Sequence, residues 1–148
     1  MAYKVFVDTN VLIDILVKRP SFFENSQKAV ADIVKRKFIP FISGSSITDF
    51  YYICKKSGVE KEAIFIYLKD LLKAFEVLII DKDSIYDAIF SSLKDFEDAV
   101  QIMACRREEI NLILTRDKKD FKNEWIEVQT PEEYLVSILH DKPGDSIT

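Results

Sequence analysis

Four aspartates far apart in the chain, Asp8, Asp49, Asp98 and Asp117, are the residues whose type and placement suit chemistry at a single centre. Asp8 ends the apolar run Lys4–Val7, and Asp117 follows Leu112–Leu114. Asp49 is in the first turns of the helix expected after an apolar run at 38–42, and Asp98 is in the first turn of the helix leading into Leu112–Leu114. Carboxylates gathered in one place repel one another in the absence of a counter-ion. An all-oxygen donor set favours a hard divalent cation, Mg²⁺ or Mn²⁺, and the lack of paired His or Cys argues against zinc.

Each acid also has a purely structural explanation. Asp8 could begin a turn or cap the first helix, and Asp49 could be a solvated surface group, since it lies off the apolar stripe of its helix. An acid at the position of Asp98 favours the helix dipole, and Asp117 could be an ordinary turn residue. No one acid decides between the readings. Asn10 and Thr115 flank the expected cluster, where they could orient carboxylates or water, or cap a helix and close a strand. Asp95 is placed to cap the helix of Asp98. Arg116, Lys118, Lys119 and Lys122 form a basic stretch beside Asp117 that suits either contact with a phosphate backbone or a solvated loop.

The elements that must position these groups alternate between strand and helix in the order β-α-α-β-α-α-β-α-α-β-β-α. Lys4–Val7 reads as a buried strand, and Asn10 as the cap of a helix with the stripe Val11, Leu12, Ile15 and Leu16. Ser21 with Glu24 suggests a capping box for the second helix. Residues 77–80 read as a continuous buried strand. Asp83 or Ser84 is expected to start a helix with Ile85, Ala88 and Ile89 inward, and the helix after Asp95 to bury Phe96, Ala99, Val100 and Met103. Residues 125–128 read as a short last strand, and Thr130-Pro131-Glu132-Glu133 combines a cap, a proline at the first helical position and a capping-box Glu. The expected fold is α/β: a doubly wound, mostly parallel sheet of four to five strands with helices on both faces. Ligands of such sheets bind outside the carboxyl ends of the strands, where the four acids are expected.

Composition is compatible with this without choosing a function. The 148 residues fit one domain, 48% are hydrophobic and 31% charged, and three Gly with four Pro leave little for linkers. We expect a domain over 1–140 and a disordered tail over 141–148. The net charge of −4 does not by itself point to nucleic acid. Clustered carboxylates lower it, however, and bound cations would restore attraction for phosphate. No apolar run reaches the roughly 20 residues needed to span a bilayer, the N-terminus lacks a secretory layout, and Cys54 and Cys105 fit no disulfide framework. A cytoplasmic protein without membrane association is the expectation. His140 reads as a surface residue, and the stripe from Ile64 to Phe75 as core with any excess available to a dimer or partner.

Four blocks carry a resemblance. Val7-Asp8-Thr9-Asn10-Val11-Leu12-Ile13-Asp14 resembles the opening motif of PIN domains, and Ser45-Ser46-Ile47-Thr48-Asp49-Phe50-Tyr51-Tyr52 the segment of that family's second acid. Asp95-Phe96-Glu97-Asp98-Ala99-Val100-Gln101 resembles the third, and Leu114-Thr115-Arg116-Asp117-Lys118-Lys119-Asp120-Phe121 the fourth. The blocks occur in family order, and the likeness extends over about residues 3–138. It departs at the second acid, a Glu in many members and Asp49 here, one methylene shorter.

The resemblance implies Mg²⁺- or Mn²⁺-dependent cleavage of RNA by metal-activated water, with Asp8, Asp49, Asp98 and Asp117 as ligands. It also implies kinship with the VapC-like toxins of type II toxin–antitoxin pairs, which dimerise and are silenced by a separately encoded antitoxin. Arg116, Lys118 and Lys119 are then candidates for contact with RNA. Two alternatives are a PIN-like binding module without catalysis and a phosphotransfer or phosphatase domain of similar topology. A haloacid-dehalogenase-like phosphatase would need an Asp where Asn10 stands, and the receiver layout does not match these blocks.

Overall fold

The computed structural model describes residues 2–140; the tail expected over 141–148 lies outside the described residues. Five parallel strands form one sheet in the order β3-β2-β1-β4-β5: β1 (Lys4–Val7), β2 (Ile39–Ser43), β3 (Glu76–Leu78), β4 (Leu112–Leu114) and β5 (Glu127–Gln129). Helices α1 (Thr9–Leu16) and α2 (Phe23–Lys35) join β1 to β2, and α3 (Ile47–Lys56) and α4 (Lys61–Ala74) join β2 to β3. Helices α5 (Lys82–Ile89) and α6 (Phe96–Arg107) lead to β4, and α7 (Pro131–Leu139) follows β5. The doubly wound parallel sheet and the order of its elements are those expected from the sequence.

The strands divide their side chains between two cores by the two-residue period of extended chain. Val5 and Val7 of β1, Leu112 and Leu114 of β4 and Ile42 of β2 enter a core shared with Val11, Leu12, Ala29, Phe50, Ile64 and Tyr134 from α1, α2, α3, α4 and α7. Phe6, Ile113 and Phe41 point the other way, against Ile102, Ala104 and Cys105 of α6 and against Phe121 and Ile126. Because both faces are covered, the central strands are apolar over most of their length, at 5–7, 39–42 and Leu112–Leu114. Both cysteines are buried as free thiols. No helix among the described residues is long and apolar enough to cross a membrane.

Several local expectations need correction. Asn10 does not cap α1: Asp8 occupies the cap position without a side-chain cap bond, and Asn10 is inside the helix. Ser21 and Glu24 form no capping box, because Ser21 adopts a left-handed φ of 75° and α2 starts at Phe23 after Phe22. Helix α5 begins earlier than expected, capped by Asp81, whose side chain accepts from the Ser84 N–H. The strand expected at 77–80 is Glu76–Leu78 at the sheet edge, not a buried strand, and Val77 and Ile79 are exposed. Helix α5 turns Ile85 and Ile89 outward and buries Ala88 against α6, while Phe96 is also exposed. By contrast, Asp95 and Thr130 cap their helices as expected, the latter in a complete capping box with Glu133.

Candidate metal centre

The strand order places the chain reversal between β1 and β4: from β1 the chain moves outward through β2 and β3, and β4 returns to the other side of β1. Crevices at such a switch point are where ligands bind in open parallel sheets. Asp8 and Thr115 are the first residues beyond β1 and β4 there. They are tied together by the Asp8 N–H donating to the Leu114 carbonyl at 2.9 Å and by Thr115 Oγ1 donating to Asp8 Oδ2 at 2.8 Å.

A cavity of about 260 Å³ opens at this edge, with Asp8, Asp49 and Asp98 among its lining residues. Asp49 comes from the first turn of α3 and is exposed. Asp98 comes from the first turn of α6, where Asp95 fixes the backbone by accepting from the Asp98 N–H at 2.9 Å. Asp117 is not among the lining residues. It is joined to the rim by its own N–H donating to Thr115 Oγ1 at 3.1 Å and by Asn10 Nδ2 donating to Asp117 Oδ2 at 3.5 Å. Thr115 thus bonds to both Asp8 and Asp117, and Asn10 reaches from α1 to the opposite strand end.

The electrostatics at this edge are those of crowded, uncompensated acid. Asp8 is only 9% exposed. Burial pushes its carboxyl up to about 6, against the lowering effect of the Thr115 hydroxyl and the backbone N–H groups of Asn10 and Thr9, and the Asp117 charge raises it further. Asp98 is raised to about 7, first by burial and then by the charges of Asp95, Asp120, Glu97 and Asp8. Among the described residues no lysine or arginine forms an ion pair with Asp8, Asp49, Asp98 or Asp117.

Three further acids, Asp95, Glu97 and Asp120, also line the cavity. Asp120 falls in the 3-10 turn Lys118–Phe121, whose Phe121 is buried in the second core. The one available signal for Asp120 was this buried aromatic immediately after it, which anchors the turn.

The donor set fits a hard divalent cation: it is all oxygen, strongly acidic and without a cation of its own. Among the described residues no three of these carboxylates stand close enough together to hold a metal ion.

The basic residues beside Asp117 separate into different environments. Arg116 faces inward, with Nε 3.0 Å from Oδ2 of the buried Asp14 and its guanidinium 4.4 Å from the Phe22 ring centroid. Lys118 pairs with Glu133 of α7 at 3.1 Å. Lys119 has no ion pair among the described residues and lines a second cavity next to the first.

The model of the PIN domain matches residues 4–119. The chain is 32% identical over 136 residues to the protein named Ribonuclease VapC1 of Aquifex aeolicus, covering 88% of this chain and 92% of that protein. The fold is similar to a toxin–antitoxin complex from Klebsiella pneumoniae, with a TM-score of 0.63 and 20% identity over 86% of this chain and 97% of that one. It is also similar to VapBC2 from Rickettsia felis bound to a fragment of promoter DNA, with a TM-score of 0.65 and 16% identity over 86% of this chain and 98% of that one. The chain belongs to the PIN domain family.

Proposed function

We propose that this protein is a ribonuclease that hydrolyses RNA phosphodiester bonds with Mg²⁺ or Mn²⁺ and acts as the toxin of a toxin–antitoxin pair. The observation that carries the reading is Asp8: a carboxylate buried at the switch point of the sheet, with other acids around it and no cation to balance them. A relative named as a ribonuclease and structural neighbours that are toxin–antitoxin complexes support it from outside the site.

Asp8, Asp98 and Asp117 would hold the cation, with Asp49 contributing from α3. A divalent ion supplies such a site with an activated water and with positive charge for the phosphate in the transition state. The remaining work belongs to the chain. Thr115 fixes the Asp8 carboxylate and the Asp117 backbone together, Asn10 steadies the Asp117 side chain, and Asp95 holds the helix start that presents Asp98. Exposed apolar side chains on α3 and α4 (Tyr52, Phe65, Ile66), on α5 (Tyr86, Ile89) and just after it (Phe90) give the protein surface for an antitoxin and for a second copy of itself.

The test is cleavage of single-stranded RNA with Mg²⁺, with Mn²⁺ and with EDTA. Activity should require the metal. Asp98→Asn, which keeps the shape and removes the charge, should lower the rate by more than the roughly 10–100-fold typical of losing a residue that merely supports a ligand. Cleavage by Asp98→Asn at the native rate would exclude Asp98 from the metal site, and metal-independent cleavage would exclude the mechanism.

A further inference from the structure

A second cavity of about 620 Å³ adjoins the acidic one and shares Asp95, Asp98 and Asp120 with it. Its size is within the roughly 300–1,000 Å³ of sites that enclose small organic ligands. Its chemistry differs from that of its neighbour. Leu93, Ile102 and Trp125 give it apolar surface, and Lys94, Lys119 and Lys122 place positive charge along it, beside Glu124 and the shared aspartates. None of these three lysines forms an ion pair among the described residues, whereas the neighbouring Lys118 and Arg116 are both paired.

Trp125 is 46% exposed, and the Arg106 guanidinium covers one face of its ring at 4.1 Å from the centroid. The indole's remaining face and edge are what it can offer the cavity. The loop carrying it is held by Asn123, whose Oδ1 accepts from the Trp125 and Ile126 N–H groups at 2.7 Å each and whose Nδ2 donates to the Phe121 and Ile126 carbonyls. The loop backbone that carries the indole is therefore held before any ligand arrives, and Arg106 over one face of the ring supports it as a platform.

We propose that this cavity is a nucleobase subsite: it receives a base of single-stranded RNA next to the phosphate at the acids, stacked on Trp125, while Lys119 and Lys122 hold the adjoining backbone. This rests on the ribonuclease reading. The occupant follows from the combination of features. An aromatic platform with unpaired lysines around it matches a base attached to a phosphate, the pairing used for single-stranded nucleic acid, and continuity with the acids places the next phosphate at the cation.

Trp125 is the only tryptophan in the chain, so its own emission reports on the site. The full native chain is titrated in Ca²⁺, a hard ion that an all-oxygen site accepts, in place of Mn²⁺ to hold the site's charge while slowing turnover, with a single-stranded RNA hexamer and with an abasic hexamer of the same backbone. The RNA should quench Trp125 emission, and the abasic oligomer should bind roughly tenfold more weakly without quenching. In the otherwise native chain, Trp125→Ala should raise KM roughly tenfold while kcat stays within about threefold, and Trp125→Phe should restore most of the loss. Lys119→Gln should weaken both oligomers alike and lower the salt slope by about 0.7.

Equal affinity for the two hexamers with unchanged emission would overturn the base subsite and leave the cavity to a protein segment. Failure of both to bind would overturn it as well. Cleavage of RNA by the native chain, assayed in parallel, separately decides the ribonuclease reading, which survives a failed subsite.

Discussion

Asp8 and Asp14 lie on one short segment, both are buried, and they meet the cost of burial in opposite ways. Asp14, fully buried at 0% exposure, has Arg19 at 3.1 Å and Arg116 at 3.0 Å. Burial leaves its carboxyl raised, but the two guanidinium groups offset part of that rise. Asp8 has hydrogen bonds but no cation, and its carboxyl stays raised at about 6. A buried charge that the chain itself neutralises belongs to the architecture, and here it fastens α1 to the loop bearing Asp117. A buried charge left without a counter-ion points to one supplied from solution.

The comparison is broken most severely by removing the two carboxylates in turn in metal-free buffer. Asp14→Asn leaves two guanidinium groups without their partner and should cost about 3 kcal/mol, the low end for breaking a buried pair, because both arginines can still reach water. Asp8→Asn removes a charge the fold does not balance and should stabilise the metal-free protein at pH 7, while abolishing cleavage. Urea denaturation of both variants in EDTA reads the two signs. If both variants destabilise, Asp8 is as structural as Asp14 and the distinction fails.

The same comparison is sharpened by pH. The folded-state pKa of Asp8, about 6, is above its ordinary value of 3.8, so between these values the folded protein keeps a proton that the unfolded chain releases. Stability must therefore fall as pH rises through that window and level off above it. The shift from 3.8 to about 6 corresponds to a change on the order of 3 kcal/mol. Asp8→Asn should match the native protein below pH 4 and gain on it steadily up to about pH 6. Asp98, raised to about 7, extends the native decline further towards neutrality. Added Mn²⁺ should restore stability to the native protein at neutral pH and do little for Asp8→Asn, since only the native site binds the ion tightly. A difference between the two proteins that does not vary with pH would remove the electrostatic explanation.

How much of this was legible in the sequence depended on the range of each interaction. The order of elements along the chain and the two-sided cores followed from local runs such as 5–7 and Leu112–Leu114, whose residues are apolar on both faces. The caps at Asp95 and Thr130 were also legible, because the cap and its partner are three residues apart. Asn10 was read both as a cap and as a group that could orient a carboxylate; it makes no cap, and its side chain donates to Asp117, 107 positions away, a distance local sequence cannot span. Arg116 looked like a free basic residue for the same reason: its partners Asp14 and Phe22 come from α1 and the loop that follows it. The outward turn of α5 was missed because an amphipathic stripe does not say whether the surface it faces is the core or another molecule.

The smallest expected effect tests whether the start of α6 serves stability or chemistry, where the two overlap most closely. Asp95 and Asp98 both line the acidic cavity, but only Asp95 has a hydrogen bond that explains its presence structurally, the cap to the Asp98 N–H. Replacing that cap in Asp95→Ala should cost about 1 kcal/mol. Part of that cost should be returned, because removing the Asp95 charge also relieves Asp98, whose carboxyl Asp95 helps to raise. The net loss on urea denaturation should therefore be smaller near neutral pH, where Asp95 repels an ionised Asp98, than at pH 5, where Asp98 is protonated. Cleavage by Asp95→Ala should fall only as far as the altered helix start displaces Asp98, and higher Mn²⁺ should largely restore it. Asp98→Asn should not be rescued in this way. If Asp95→Ala is the inactive variant while remaining fully folded, and Asp98→Asn cuts RNA normally, then the cap and the ligand have exchanged places.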